Sequence, residues 1–411
     1  MKVLVLNSGS SSQKSCLFEL GDVLPEDPPA CVWEARIEWQ GEFADTAIKS
    51  GNAQEVKSRA KFSSRAEALD HSLRTLWEGD KAGIPSPSEI DVVGHRIVHG
   101  GPDFADPVFI SPKVTDAIAG VSAFAPLHNQ AELEGIEIIQ KLLGSVRQVA
   151  VFDTGFHKDI PLAASVYPGP YEWFENGIHR YGFHGINHQY CARRAAQMLD
   201  RKPDSLRIVS CHLGNGCSLA AINHGKSVDT TMGFTPLEGI MMGTRSGSVD
   251  PGILTYLIRQ KKITGEQLDE ILNKRSGLLG ISGVSEDMRE ILAAVNAGNA
   301  RAKLAFDIYV HRLVSAIGAM VAVLGGIDAL VFTAGIGENS ADVRAAACRN
   351  FGYLGLTLDA EENSRTSPDQ DISGADSSVR VLVIRAQEDW EIARQCWRML
   401  QDSKIAARRN I

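Results

Sequence analysis

Along this chain, short apolar runs alternate with polar turns rich in glycine, serine and asparagine, and two of these alternations repeat one another. Residues 207–222 read RIVSCHLGNGCSLAAI: an apolar strand, a turn around Gly214, Asn215 and Gly216, and a returning apolar strand. The amino terminus follows the same plan, with residues 2–6 as strand, 7–12 as polar hairpin and 15–20 as returning strand. Glycines let backbone amides point into one hollow, and such a hollow suits phosphate. One hairpin of this kind is common in any β-rich protein. A matched pair predicts two related half-molecules, and if these face one another across a cleft, a nucleotide held by one turn presents its terminal phosphate to the other.

Between the hairpins, alternating residues 31–39 resume the first sheet, and the apolar spacing of Ala68, Leu69, Leu73, Leu76 and Trp77 predicts a helix over 64–79. Within 91–101 an apolar strand is expected directly before His95, Arg96 and His99, and within 148–157 a strand ending in Asp153 and Thr154, with a helix from about 130 to 143 between them. A further helix is read over 187–200 and a polar break over 201–205. Residues 234–252 are too rich in glycine for helix or strand. Residues 277–289 read as a glycine-rich turn leading into a helix, 306–324 as a buried helix, 328–333 as a strand and 334–340 as a second glycine turn. A polar insertion over 363–378, a last strand over 381–384 and a terminal helix to about 401 complete the chain.

A chain of 411 residues exceeds one core, and 44% hydrophobic content suffices for two. The expected domains are 1–152 with about 389–411, and 153–388. A net charge of -8 argues against nucleic-acid or membrane-surface partners, and the basic stretch 404–409 reads as a solvated helix end. Seven dispersed cysteines without metal-like spacing fit reduced thiols in a cytoplasmic enzyme. The apolar run of residues 3–6 is too short for a signal sequence, and 313–327 falls short of a spanning helix.

Chemistry gathers at the ends of the apolar runs. Lys14 opens a returning strand, where a cation meets phosphate. In DVVGHRIVHGG, Arg96 inside an apolar strand has to find an anion, while His95 and His99 fit either a site or hydrogen-bonded core positions. His128 stands at a helix start. Asp153 at a strand end suits a magnesium-linked or proton-handling role, or equally a turn. His184 and His188 have a helical metal spacing, but Gly182 and Gly185 oppose a regular helix there and no third ligand is near. Arg245 sits in the 234–252 loop, able to swing toward an anion. Gly335 and Gly337 lack the rest of a dinucleotide fingerprint, and Gly225, Lys226 and Ser227 lack the first glycine of a Walker loop. Glu388 stands after the last strand as Asp153 stands after its own.

Taken together, NSGSSSQK at 7–14, HRIVHGG, APLHN, FDTGFH, RYGFHG, HLGNG, FTPLEGIMMGTRSG and GIGEN resemble the acetate kinase family in order and spacing, over nearly the whole chain. That family belongs to the acetate and sugar kinase, heat-shock 70 and actin superfamily. The resemblance implies an α/β fold of two duplicated ribonuclease-H-like, actin-like ATPase domains, with mixed sheets flanked by helices and a central cleft. It implies magnesium, or manganese in its place, near Asn7 and Glu388. ATP or ADP would lie along His212, Leu213, Gly214, Asn215 and Gly216, then Asp287, Met288 and Arg289, then Gly335, Ile336, Gly337, Glu338 and Asn339. Arg96 would bind the carboxylate, Arg245 the transferring phosphoryl group and His184 the transition state, with Asp153 as the catalytic acidic residue. His128 falls in a site motif, and Val98, Leu127, Phe183 and Pro236 match the pocket for the acyl methyl. The family also implies a homodimer. This sequence departs from the usual pattern at Gly155, Ile186, Asn187, Ser248 and Ala334, and in Arg385, Ala386 and Gln387 before Glu388.

The implied reaction is reversible ATP:acetate phosphotransfer giving acetyl phosphate and ADP. A carboxylate is already the nucleophile, so alignment and cations matter more than a base. A propionate or other short-chain acyl kinase is the nearest alternative. A nucleotide-driven binding protein of the same superfamily would need no cluster of Arg96, His184 and Arg245, and a sugar kinase would need a base and polar hydroxyl contacts.

Overall fold

The computed structural model describes residues 1–9, 12–51, 53–79, 82–121, 126–365 and 369–409, and of 126–128 and 406–409 it describes the backbone only. Two compact units divide the chain, Met1–Gly155 with Gln387–Ile411, and Phe156–Ala386.

The first unit opens with the expected hairpin, β1 (Lys2–Ser8) and β2 (Ser12–Glu19), paired antiparallel from Lys2 with Glu19 to Ser8 with Gln13. There follow β3 (Trp33–Gln40), β4 (Phe43–Ser50), β5 (Val56–Lys61), α1 (Arg65–Arg74), β6 (Val92–Ile97), β7 (Val108–Phe109), α2 (Pro112–Gly120), α3 (Pro126–Leu143) and β8 (Arg147–Phe152). The sheet order is β5-β4-β3-β2-β1-β6-β8-β7, with β1, β6 and β8 parallel. Strands covered on both faces need continuous apolar runs, and Val3, Leu4, Val5 and Leu6 are all buried. The edge strand β5 is instead largely exposed and carries Lys57, Arg59 and Lys61, which discourage pairing with another chain. Alternation divides β1 between two layers. Leu4 and Leu6 pack with Leu69, Leu73 and Ile139 of α1 and α3, each such side chain contributing roughly 1.5–3 kcal/mol.

The second unit contains α4 (Leu162–Ser165), α5 (Tyr171–Glu175), α6 (Gly185–Met198), β9 (Arg207–Leu213), β10 (Cys217–Asn223), β11 (Lys226–Thr230), α7 (Pro251–Lys261), α8 (Gly265–Lys274), α9 (Gly277–Ser282), α10 (Met288–Asn296) and α11 (Ala300–Leu324). It continues with β12 (Ala329–Thr333), α12 (Ala334–Asn339), α13 (Ala341–Cys348), α14 (Ala360–Ser364), β13 (Gln370–Asp371) and β14 (Arg380–Val383). Its sheet runs β11-β10-β9-β12-β14-β13. Here again an antiparallel hairpin leads into two parallel strands and an antiparallel edge, so the second sheet matches the first from β3 to β7. The repeated plan read from the two hairpins is the fold.

The chain then returns to the first unit as α15 (Glu388–Arg409), which packs on β1 and β6. Gly94 makes this approach close: a Cβ there would stand 2.6 Å from Cys396 Sγ and 2.7 Å from Ile392 Cγ2. The compact units therefore divide later and earlier than the expected 152/153 and 388/389. Asp153 stays with the first unit because its N–H continues the β6–β8 ladder, donating to Ile97 O at 2.8 Å, and Glu388 stays because it begins α15.

Three expected elements differ. The glycine turns at 277–282 and 334–339 are short helices, α9 and α12. Ser276 and Thr333 in extended backbone start them, and the glycines are tolerated inside because buried packing outweighs propensity. The helix α11 is long and apolar enough to cross a membrane by length and composition. Its buried residues, among them Ala305, Tyr309, Leu313 and Ile317, lie on one face, so it is a core helix with an exposed side.

Candidate active site

In the first unit, charged side chains gather where β1, β6 and β8 end and α15 begins. Arg96, one residue from the end of β6, donates from Nη2 to Asp153 Oδ2 at 2.9 Å and from Nη1 to Ser8 O at 3.1 Å. Its Nε stands 4.0 Å from Glu388 Oε2. Burial works against the Arg96 charge, but Asp153, Glu388 and Glu132 hold it protonated. The anion that a strand arginine needs is therefore supplied by the protein itself. Asn7 Nδ2 donates to Glu388 Oε2 at 3.0 Å and to Asp389 Oδ1 at 2.9 Å, and Asp389 Oδ2 pairs with Lys14 Nζ at 2.5 Å. Burial raises the Glu388 carboxyl, Arg96 opposes this, and Asp153 adds to the rise.

Asp153, Glu388 and Asp389 meet two cations, Arg96 and Lys14, so carboxylates are in excess. Hard oxygen donors in a locally negative site are what Mg2+ or Mn2+ binds, and a flip of the Asn7 amide offers one more oxygen. The residues fit such an ion.

In the second unit, His184 is the N-cap of α6 with φ 56° and ψ 23°. That left-handed conformation costs a non-glycine residue on the order of 1–3 kcal/mol and concentrates at functional positions. The helix thus begins at Gly185, two residues before the expected 187, leaving His184 outside it and His188 within it as expected. The His184 ring stacks on His212 with centroids 3.9 Å apart, and its Nδ1 is 2.9 Å from Ser218 Oγ. The same hydroxyl is 2.8 Å from His188 Nε2, while His188 Nδ1 meets Ser210 Oγ at 2.9 Å. With one proton between two rings, Ser218 couples their tautomers. Burial, then the neighbouring His157 and His212, keep His188 neutral at pH 7. Asn187 Nδ2 donates to His212 Nδ1 at 2.8 Å, so the proton of neutral His212 is on Nε2.

Arg245 reaches this group from the glycine-rich loop, which is free of regular elements over 234–250, α7 starting within the expected 234–252 at Pro251. A Cβ on Gly216 would lie 3.4 Å from Arg245 Nη1 and 3.5 Å from His184 Nε2, so both side chains converge on the β9–β10 turn. Arg245 Nη1 donates to Pro236 O at 3.1 Å and approaches Met242 Sδ at 3.9 Å. No carboxylate of the described residues pairs with it, and burial lowers its pKa. It is a half-buried cation without a counter-charge.

Beside the turn lies a cavity of about 630 Å³ lined by Gly214, Asn215, Asp287, Met288, Arg289, Gly335, Ile336 and Asn339, together with Glu286, Leu292, Ser340, Ala341, Asp342 and Ser364. Eight expected nucleotide residues thus share one space. Gly243 admits the turn closely, since a Cβ there would stand 2.0 Å from Asn215 Oδ1. Arg344 fixes α12 from within, donating to Gly337 O at 2.9 Å and Glu338 O at 2.8 Å.

Other expected residues are placed differently. Glu338 turns inward, its Oε1 accepting from Ala386 N at 2.9 Å, and Gly337, His212 and Leu213 are buried in their elements. Lys14 belongs to the first unit. Val98 is buried there, while Phe183 and the half-buried Pro236 belong to the second. The side chains of Leu127 and His128 lie outside the described residues. His95 and His99 are core histidines: His95 Nε2 meets Gln148 Oε1 at 2.8 Å and His99 Nδ1 accepts from Gly101 N at 2.9 Å. Burial lowers His95 to about 4.

Glu132 was not singled out in the sequence. It is buried, accepts from Val98 N at 3.0 Å through Oε1, and is raised to about 8 by burial, with Arg96 opposing. Its signal was periodicity, because Asn129, Glu132, Ile136 and Ile139 form the buried stripe of α3. Arg385, a departure before Glu388, donates its backbone N–H to Asp369 Oδ1 at 3.2 Å.

The sequence profile of the Acetokinase family matches residues 2–394. An acetate kinase from Cyanothece sp. is 56% identical over 403 residues, 98% of this chain and 99% of its own. One from Nostoc punctiforme is 58% identical over 405 residues, 98% and 100% of the two chains. Among solved structures, an acetate kinase from Porphyromonas gingivalis superposes with a TM-score of 0.89 at 40% identity, covering 97% of this chain and 99% of that one. A propionate kinase from Francisella tularensis gives 0.87 at 35% identity, covering 96% and 98%. With both sheets, the paired hairpins and the full length in agreement, this chain belongs to the acetokinase family.

Proposed function

We propose that this protein transfers the γ-phosphoryl group of ATP to acetate, reversibly and in a direct in-line step, giving acetyl phosphate and ADP. The observation that carries this reading is Arg245, a half-buried guanidinium that pairs with no carboxylate of the described residues, converging with His184 on the Gly216 turn beside the cavity. A cation so placed has its charge available for an anion, and phosphoryl transfer between anions is limited by their repulsion.

The carboxylate attacks in its ionised form, so no side chain need abstract a proton. Arg245 and His184 take charge from the phosphoryl oxygens as the bond to the leaving group loosens. Ser218 fixes the His184 ring through Nδ1 and leaves Nε2 on the side of Gly216. The cavity along Gly214, Asp287–Arg289 and Gly335 receives the nucleotide. Arg96 binds the carboxylate, and Asp153 positions Arg96 through their 2.9 Å bond instead of serving as a base. Asn7 and Glu388 would hold magnesium, or manganese in its place, which would supply neutralisation of phosphate charge.

A hydroxamate assay with acetate, ATP and magnesium tests the reaction, and absence of acetate-dependent ADP would refute it. A panel from formate to butyrate tests acyl size, since one methylene in an apolar pocket is worth only about 1–3 kcal/mol. We further propose a homodimer in the cytoplasm. The seven free thiols support the compartment. The dimer is supported by α7, which buries no residue and exposes Ile253, Tyr256 and Ile258. A single monomer mass by light scattering at micromolar concentration would refute it.

A further inference from the structure

Cys16 on β2 and Cys31, two residues before β3, are far apart in sequence and together in the fold. Their sulfurs and a Glu34 carboxylate oxygen all lie within 4.8 Å of one another. Cys16 is fully buried and Cys31 is half-buried. The neighbouring Cys16 thiol lowers the Cys31 thiol below its ordinary value, while Cys31 and burial push Cys16 well up. One sulfur is thus the accessible nucleophile and the other a shielded partner.

The three donors could suit a thiophilic dication, but Lys14 Nζ stands 4.0 Å from Glu34 Oε1 and 2.5 Å from Asp389 Oδ2, adding a positive charge beside them. A disulfide brings no charge. Its sulfurs need to close to about 2.05 Å, and the irregular segment before β3 gives Cys31 the slack that Cys16 lacks.

The same cluster touches the candidate magnesium residues. Cys16 Sγ donates to Asp389 Oδ2 at 3.6 Å, and Asp389 Oδ1 holds the Asn7 amide at 2.9 Å. We propose that Cys16 and Cys31 form a reversible disulfide that loosens the hold of Asp389 on Asn7 and so weakens the magnesium site. The second clause rests on the metal reading above; the disulfide does not. The oxidant is a low-molecular-weight disulfide. The Cys31 thiolate attacks one of its sulfurs, forming a mixed disulfide and expelling a thiolate. That thiolate takes the Cys16 proton, and the Cys16 sulfur displaces the second thiolate as the Cys16–Cys31 bond forms. Two protein thiols are oxidised and one external disulfide is reduced to two thiols.

The test equilibrates the full-length, EDTA-treated protein in graded mixtures of reduced and oxidised glutathione, followed by alkylation, digestion and mass spectrometry. A Cys16–Cys31 linked peptide, reversed by dithiothreitol, is expected. Recovery of the two as separate alkylated or glutathionylated peptides at every ratio overturns the proposal, as does alkylation blocked only by added zinc. In a magnesium titration of turnover, the oxidised protein should need about tenfold more ion, the scale for losing a partner of a metal ligand. Cys31→Ser should keep the basal activity and lose the response to oxidant. An unchanged magnesium titration in fully cross-linked protein overturns the coupling, whereas turnover without any magnesium dependence refutes the metal reading and leaves the cross-link result standing.

Discussion

The two units share a sheet plan but treat their arginines differently. In the first, β6 and β8 end on charge, and Arg96 is neutralised at once by Asp153. In the second, the equivalent strand β12 ends on the buried Thr333. Its cation, Arg245, comes from an irregular loop and meets a carbonyl and a sulfur. The shared frame fixes where strands end. How much of a charge there is left for a ligand depends on its immediate partners.

The contrast can be broken at its stronger end first. Arg245→Ala should lower turnover by roughly 10³-fold or more, with a smaller effect on nucleotide binding, as for cations of arginine-finger type. Steady-state kinetics check this, and a loss within about tenfold would remove its assigned role. Arg96→Ala should raise the Michaelis constant for the carboxylate far more than that for ATP. Because Asp153 is left buried without its cation, it should also cost about 3–5 kcal/mol of stability, measurable by urea unfolding. Equal changes in both Michaelis constants would end the substrate assignment.

Glu132→Gln sharpens the first unit's side of the comparison through pH. A carboxyl whose value rises from 4.5 unfolded to about 8 folded binds its proton more tightly in the native state. Its stabilisation is full below 4.5 and is lost as pH rises through 8. Melting curves should therefore show the unsubstituted protein losing stability relative to the Gln variant between those values. A difference flat with pH would put the Glu132 proton elsewhere. The smallest effect is expected from Gly216→Ala. Contacts at 3.4 and 3.5 Å are ordinary, so the melting midpoint should move by no more than about 4 °C, while ATP affinity, measured by calorimetry, weakens as the methyl enters the turn.

Strands and hairpins were legible because buried strands must be apolar and tight turns need glycine. The Arg96, Arg245 and His184 positions were legible from motifs that interrupt those runs. Less visible were the groups that position them. Glu132 lies on an apolar stripe that periodicity marks but polarity disguises, and Asp389 hides beside Glu388. The helices α9 and α12 were read as turns because glycine content outweighed their flanking caps. Cys16 and Cys31 had no recognisable spacing, since strand pairing brings them together across an intervening loop. Gly155, a departure from the family pattern, has a local reason: a Cβ there would stand 2.3 Å from Ala105 O.

The final helix belongs to the sheet begun by the first residues. During synthesis, then, the segment 156–386 can reach its own core while still followed by nascent chain, but β1 and β6 cannot. Gly94 and the face opposite Leu4 wait for Ile392 and Cys396, which are made only after the whole of 156–386. Strands made before the second unit are finished only after it, and during that interval they carry a bare apolar surface of the kind that chaperones recognise.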